Sequence, residues 1–306
     1  MVSLDDVSAA AGRVDGHVRR TPTLRLEPGA LGCDRPIVAK LDLLQPTGSF
    51  KVRGAVSLLR TLPPGDEPVV AASGGNFGLA VAWAASRLDR RAVIVVPSTT
   101  PTDKLANFAA LDADVEVVAG VYADALRRAQ QRCVETSGTW AHAYDQPEVV
   151  AGQGTAALEL LADHPQLTTI VVACGGGGLL AGTVAAAEGR RVVAVETTGT
   201  ATLHAAVAAG HPVDVEATGI AASSLGARRI GDHAWAVRDR VEVVTVDDAA
   251  VVDAQRRLWS ATRLVAEPGG ATALAGLISG AVPVGADERV AVIVCGANTD
   301  PATVVG

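Results

Sequence analysis

Lys40, Lys51 and Lys104 are the only lysines in this 306-residue chain, and the second lies in Gln-Pro-Thr-Gly-Ser-Phe-Lys-Val-Arg-Gly, residues 45–54. An amine is the one side chain that condenses with an aldehyde cofactor to form a Schiff base. Turn-forming residues 46–49 and Phe50 precede Lys51, and the apolar run 55–59 follows it, so the amine sits where a loop enters a helix. A second feature fits the same chemistry. Gly175, Gly176, Gly177 and Gly178 follow the apolar run 170–174, and a backbone without Cβ atoms lets several N–H groups converge on one anion at a helix N-terminus. Phosphate is the natural guest of such a turn, and a tight strand-to-helix connection packed against a neighbour is its plainer use.

The glycine run also satisfies a rival pattern. Gly176 to Ala181 fits G-x-G-x-x-A after a strand, and Glu196 follows about 20 residues on, as in dinucleotide sites. That pattern leaves unexplained why residues 47–51, 73–76 and 295–298 also fall at strand-to-helix loops. Ser73-Gly74-Gly75-Asn76 reads either as a turn and cap, or as backbone donors and a hydroxyl for a substrate carboxylate, with the Asn76 amide reaching a cofactor hydroxyl.

These loops need elements to hold them. Short β-branched runs at 36–41, 68–71, 92–96, 115–118, 139–142, 169–173, 191–195, 241–246 and 290–294 read as buried strands. Ala-rich segments at 79–88, 123–135, 155–161, 179–187 and 249–264 suit helices. The alternation predicts an α/β fold with mainly parallel sheets covered by helices on both faces, whose ligands bind beyond the carboxyl ends of the strands. The length suggests two lobes. Pro63, Pro64 and Gly65 mark a hinge within 61–67 and residues 145–147 a return, giving a large domain of 1–63 with 147–306 and a small inserted α/β domain of 64–146.

With 49% hydrophobic and 19% charged residues, the composition is that of a soluble globular protein whose core, at 3% aromatic, is mostly Ala, Val and Leu. The net charge is −7, and basic pairs such as Arg19-Arg20, Arg90-Arg91 and Arg228-Arg229 are scattered, which argues against a nucleic-acid partner. Cys33, Cys133, Cys174 and Cys295 form no C-x-x-C or zinc spacing and read as reduced thiols. Asp5 and Asp6 stand where a signal peptide needs positive charge, and no apolar run approaches the ~20 residues of a membrane span. A cytoplasmic location without membrane contact is expected.

The stretches 40–54, 73–76, 96–104, Ala151-Gly152-Gln153-Gly154-Thr155, 175–178, Val265-Ala266-Glu267-Pro268 and 295–298 resemble, in order and spacing, those of fold-type II pyridoxal-phosphate enzymes. The nearest likeness is to serine/threonine dehydratases and serine racemases, and it runs from Arg20-Thr21-Pro22 to the end. The resemblance implies a two-domain architecture of the tryptophan synthase β type, with pyridoxal 5'-phosphate between the domains. It makes Lys51 the Schiff-base lysine and places Phe50 beside the pyridine ring. Gly175, Gly176, Gly177, Gly178 and the Leu179 amide would hold the phosphate and Asn76 would meet the phenolic oxygen, with Glu267 also in the cofactor-binding set. Ser73, Gly74, Gly75 and Asn76 would hold the substrate carboxylate. Cys295 would face the pyridine nitrogen, where the family has a serine or related small residue. A neutral thiol there, unlike a carboxylate, does not hold the ring nitrogen protonated, which favours elimination over transamination.

Some positions depart from the family pattern. Gly74 replaces the serine that racemases use as acid and base opposite the lysine, so racemisation is not expected. Phe77 stands for a histidine, Asp42 for a glutamate and Thr218 for an aspartate. The family's divalent-cation site would use Glu196, the Thr200 carbonyl and an aspartate replaced here by Thr202, and losing a carboxylate weakens such a site, so no metal is expected. Glu196 then reads equally as a partly exposed charge at a strand end. The chain ends at Gly306, which leaves no room for a C-terminal regulatory domain and sets an expectation of no isoleucine inhibition.

The expected activity is removal of water from L-threonine or L-serine, giving a 2-oxo acid and ammonia. Lys51 would hold the cofactor and then take the Cα proton, its pKa lowered by burial from an ordinary ~10.4. Alternatives are a related lyase or racemase acting on hydroxyaspartate or phenylserine, a nicotinamide-dependent oxidoreductase, and a non-enzymatic amino-acid-binding module. The expected partner is a small amino acid, with a homodimer in keeping with the family. Phe77, Trp83, Ser223 and Ser224 are the open candidates for lining a substrate pocket.

Overall fold

Residues 69–72 and 169–173 are buried throughout, as parallel strands covered on both faces must be. The computed structural model describes residues 1–305, apart from the side chain of Asp103. Its strands are β1 (Thr23–Leu26), β2 (Ile37–Lys40), β3 (Val69–Ala72), β4 (Ala92–Pro97), β5 (Asp114–Val118), β6 (Thr139–Trp140), β7 (Thr169–Ala173), β8 (Arg191–Thr197), β9 (Val241–Val246) and β10 (Val290–Ile293). They form two sheets, ordered β1-β2-β10-β7-β8-β9 and β5-β4-β3-β6. Among the described residues every pairing is parallel except β1 with β2. The fold is therefore α/β.

The helices are α1 (Leu4–Val14), α2 (Lys51–Leu59), α3 (Asn76–Arg87), α4 (Thr102–Ala109), α5 (Tyr122–Thr136) and α6 (Pro147–Asp163) in the first half. They continue as α7 (Gly178–Ala186), α8 (Thr202–Ala209), α9 (Asp232–Trp235), α10 (Asp248–Thr262), α11 (Pro268–Ile278) and α12 (Ala302–Val305). Several elements have no counterpart in the strand and helix runs read from sequence. Strand β1 is a half-buried edge of alternating character, and α1 is announced only by a capping box in which Ser3 and Asp6 exchange hydrogen bonds. Helix α11 opens Pro-Gly-Gly, which reads as a turn although Pro is well placed in a first helical turn. Strand β6 spans two residues, not the four of 139–142.

Helix α6 has 17 residues and begins at Pro147, well before the 155–161 segment expected from its Ala and Leu content. The glycines that weaken the helical pattern are there for packing. A Cβ on Gly152 would come within 2.6–2.8 Å of the Arg53 carbonyl, Ser57 Cβ and Gly54 Cα on α2, and one on Gly154 within 2.7 Å of the Gly182 carbonyl on α7. Helix α6 is thus a spine against which α2 and α7 are both pressed. The core of the four-stranded sheet includes Val52, Ala55, Val56, Leu58 and Leu59 of α2 and Val149 of α6, while the six-stranded sheet has its own larger core.

Candidate active site

Strands β2, β10 and β7 are adjacent and parallel, so their carboxyl ends deliver three loops side by side: residues 41–50, Cys295 onward and the glycine run. The first two are stitched together. Phe50 N–H donates to the Cys295 carbonyl at 2.9 Å, Ala297 N–H to the Gly48 carbonyl at 2.8 Å, and Ser49 bridges Gly296. From the other sheet, β3 leads into residues 73–76 and β6 into Ala143 and Tyr144. Together they enclose a cavity of about 380 Å³. Phe50, Lys51, Ser73, Gly74, Gly75, Asn76, Gly175, Gly176, Gly177, Gly178, Leu179 and Cys295 all line it. Glu267 lines an adjoining cavity of about 460 Å³, which shares Gly74, Gly75, Asn76 and Ser223 with the first. Every residue named from the sequence as a cofactor or substrate ligand lines one of these two cavities. Phe77, Ser223 and Ser224 also face the first, whereas Trp83 is not in its lining and lies under the Arg87 guanidinium, 5.6 Å away.

Lys51 Nζ donates to the Ala143 carbonyl at 2.8 Å and lies 5.0 Å and 5.8 Å from the ring centroids of Phe50 and Phe77. No carboxylate is bonded to it among the described residues. Burial therefore dominates, and its pKa is pushed down to about 8, with Cys295 and Glu267 opposing the shift weakly.

Across the cavity, Gly177 takes the left-handed conformation (φ +88°) and caps α7. A side chain on Gly176 would overlap the Tyr144 ring, and one on Gly178 would lie 2.7 Å from the Tyr144 carbonyl. The amides of residues 175–179 donate to no other described residue, so a ring of unspent N–H groups meets the positive end of a helix. That donor set, open on one side and facing an amine on the other, fits a phosphorylated aldehyde.

The polar groups between these poles are held in order. Asn298 Nδ2 donates to Asn76 Oδ1 at 2.7 Å and to the Thr47 carbonyl at 2.8 Å, while Asn76 Nδ2 donates to Glu267 Oε1 at 2.6 Å. The Asn76 amide is thereby oriented with one N–H unspent. Burial raises the Glu267 carboxyl to about 7, against the hydrogen bond from Asn76. The Cys295 thiol, 3.6 Å from the Gly269 carbonyl, is pushed up by burial and then by Glu267 and stays neutral. Ser73 Oγ accepts from Gly75 N–H at 3.4 Å, which turns the chain into α3.

The family model described as pyridoxal-phosphate dependent enzyme matches residues 14–296. The chain belongs to this family. It is 35% identical over 296 residues to the L-threonine dehydratase biosynthetic IlvA of Escherichia coli (strain K12), covering 92% of this chain and 56% of that protein. The chain thus spans about half the length of that relative. Among solved structures, maize serine racemase superposes with a TM-score of 0.92 at 30% identity, covering 99% of this chain and 95% of that one. A threonine deaminase from T.th. gives 0.90 at 32% identity, covering 97% and 99%. These are the proteins it is similar to.

Family membership and geometry together dispose of the dinucleotide reading. Glu196 is fully buried, not partly exposed, and its two oxygens accept from Leu203 N–H and His204 N–H, both at 2.8 Å, at the start of α8. Burial raises its pKa to about 7, and the carboxyl is not free to meet a ribose. Thr202 Oγ1 lies 2.5 Å from the Gly175 carbonyl and 3.1 Å from Glu196 Oε1, so side-chain hydrogen bonds tie Glu196 to the glycine run. Among the described residues no group of three or more His, Cys, Asp and Glu is placed to hold a metal, no helix is long and apolar enough to cross a membrane, and all four cysteines are free.

Sequence reasoning missed the fixtures of the site. Ala143 and Tyr144 sit in a segment without a motif, and their role depends on which sheet end they face. The buried charges Lys40, Asp42 and Arg53, with part-buried Glu159 as their partner, left a signal that went unread: Lys40-x-Asp42 and Lys51-x-Arg53 place charges inside apolar surroundings, where charges must pair.

Proposed function

We propose that this chain is a lyase that removes water from a small β-hydroxy amino acid, L-threonine or L-serine, and releases a 2-oxo acid and ammonia. The observation that carries the reading is the Lys51 amine, part-buried without a carboxylate partner and lining one cavity with the glycine run. Pyridoxal phosphate bound there would supply the electron sink that stabilises negative charge at Cα. The amides of residues 175–179 would hold its phosphate, Asn76 its phenolic oxygen, and Phe50 would pack beside the ring. Glu267 keeps the Asn76 amide turned for that task. Cys295 offers a neutral thiol to the ring nitrogen.

Ser73, Gly74, Gly75 and Asn76, at the entry to α3, would hold the substrate carboxylate with backbone donors. Lys51, with its pKa near 8, keeps a useful share of free amine near neutral pH and takes the Cα proton. Gly74 itself carries no side chain that could return a proton, as a serine there would, and the space a Cβ would occupy is 3.0 Å from the Thr100 hydroxyl. Elimination follows more naturally than racemisation. The similarity to proteins named threonine dehydratase and threonine deaminase supports the substrate class. The four-stranded sheet draws all its strands from 69–140, which supports 64–146 as the inserted domain, with 1–63 and 147–306 as the large one. A cytoplasmic homodimer completes the reading.

The test is release of 2-oxo acid from L-threonine and L-serine, followed with a coupled reductase, in the wild type and in Lys51→Ala. Turnover in the wild type and none in the variant, with loss of visible absorbance, is the expected result. Activity surviving in Lys51→Ala, or racemised amino acid as the sole wild-type product, would sink the reading.

A further inference from the structure

The segment between β6 and α6 touches both poles of the cavity. The Ala143 carbonyl receives the Lys51 amine, and Tyr144 lays its ring against Gly176. Residues 141–146 belong to no strand or helix, so their shape comes from side chains. His142 Nδ1 accepts from Asp145 N–H at 2.9 Å and from Tyr144 N–H at 3.4 Å. Gln146 Oε1 accepts from His142 N–H at 3.0 Å. The Asp145 carboxylate accepts from Asp232 N–H at 2.9 Å and His233 N–H at 3.0 Å, which pins the segment to α9. The imidazole itself lies edge-on to the Tyr144 ring, 4.7 Å between centroids.

We propose that neutral His142 is a positioning residue for the cofactor site: by accepting amide hydrogens at Nδ1 it folds the 142–146 turn, and so places both the carbonyl that receives Lys51 and the ring that walls the glycine run. The proposal rests on the reading of Lys51 as the cofactor lysine. An imidazolium carries a hydrogen on Nδ1 and cannot accept there, so protonation opens the turn. The groups that face His142 are the Asp145 carboxylate, the Lys51 amine and the Tyr144 phenol. Burial, the largest influence, lowers its pKa from 6.5, Asp145 opposes this and Lys51 adds to it. Above 6.5 the ring is neutral in folded and unfolded chains alike, and its contribution is complete; the contribution is lost as pH falls below 6.5 through the lower folded value. Lys51, at about 8, and Glu267 and Glu196, at about 7, are common to wild type and to variants at position 142, so the part of the acid limb that His142→Asn removes belongs to the imidazole.

The experiment follows cofactor retention by visible absorbance and equilibrium dialysis from about pH 9 to about pH 5. It compares wild type, His142→Asn and His142→Ala. Asn carries an acceptor that does not titrate, with Oδ1 in the place of Nδ1. The wild type should shed cofactor below pH 6.5, His142→Asn should keep it there with neutral-pH affinity close to wild type, and His142→Ala should bind about ten-fold more weakly at neutral pH, the cost of stranding two part-buried donors. An acid limb unchanged in His142→Asn, or full affinity in His142→Ala, overturns the proposal and leaves the Lys51 reading intact. A wild type that takes up no cofactor at any pH overturns that reading and this proposal with it.

Discussion

Arg53 and Lys51 lie two residues apart on one buried helix, and their surroundings have made them opposites. Arg53 is 0% exposed and fully answered: Asp42 accepts from it at 2.7 and 2.8 Å, Glu159 at 2.7 and 2.9 Å, and Thr155 at 3.1 Å. Burial works against its charge, but Asp42 and Glu159 outweigh burial and hold the guanidinium more firmly ionised than usual. Asp42 is likewise penalised by burial and rescued, chiefly by Arg53, to below its ordinary value. Lys40 falls between: Glu159 lies 2.5 Å away, yet burial still draws the amine below its usual range. Lys51 has a carbonyl alone. Desolvation is common to both residues on α2, and the presence or absence of a counter-ion decides which is held charged and which is left an amine of lowered pKa.

The comparison breaks most easily by mutation. Arg53→Met takes the bidentate cation from fully buried Asp42 and leaves part-buried Glu159 to Lys40 alone, and should cost about 3–5 kcal/mol, read from the denaturant midpoint of the cofactor-free protein. Lys51→Met strands no carboxylate and should leave stability within about 1 kcal/mol of wild type, or raise it. Equal losses in the two variants would dissolve the distinction.

A finer test uses pH. Between about 8 and 10.5 the unfolded chain binds a proton at Lys51 that the folded chain does not, so the stability of the cofactor-free protein should rise with pH across that window. Lys51→Met should lack that component of the slope, and a wild-type slope in the variant would show that another group is responsible. The smallest effect is expected at Cys295. Cys295→Ser exchanges one neutral donor for another, so cofactor should be retained and kcat for elimination should stay within about ten-fold of wild type, whereas loss of more than that would mean the thiol does something a hydroxyl cannot.

Much of this was legible from local sequence. The apolar runs at 169–173 and 290–294 became β7 and the strand beside it because continuous β-branched stretches have few other uses in an α/β chain. Lys51, the glycine run and Asn76 stood out because each is a rare side chain or conformation at a strand-to-helix loop. Long-range pairing was the part that stayed hidden. Nothing near Glu159 says that it will meet Arg53, nothing near Asn298 says that it will orient Asn76, and Gly152 and Gly154 weaken a helical pattern for reasons visible only when α2 and α7 are laid beside it. Glu196 was misjudged for the same reason, since its partners are amides on a helix that the sequence did not announce.

Strand β10 is the last strand among the described residues, yet it lies in the interior of its sheet, between β2 and β7. The loop leading to Lys51 takes its shape from residues that follow that strand. A growing polypeptide still short of that point has neither the middle of the sheet nor the bed on which Lys51 is laid. The loop that carries Lys51 therefore takes its shape only once residues 290–297 have been made, and the amine is set in place together with the pocket around it.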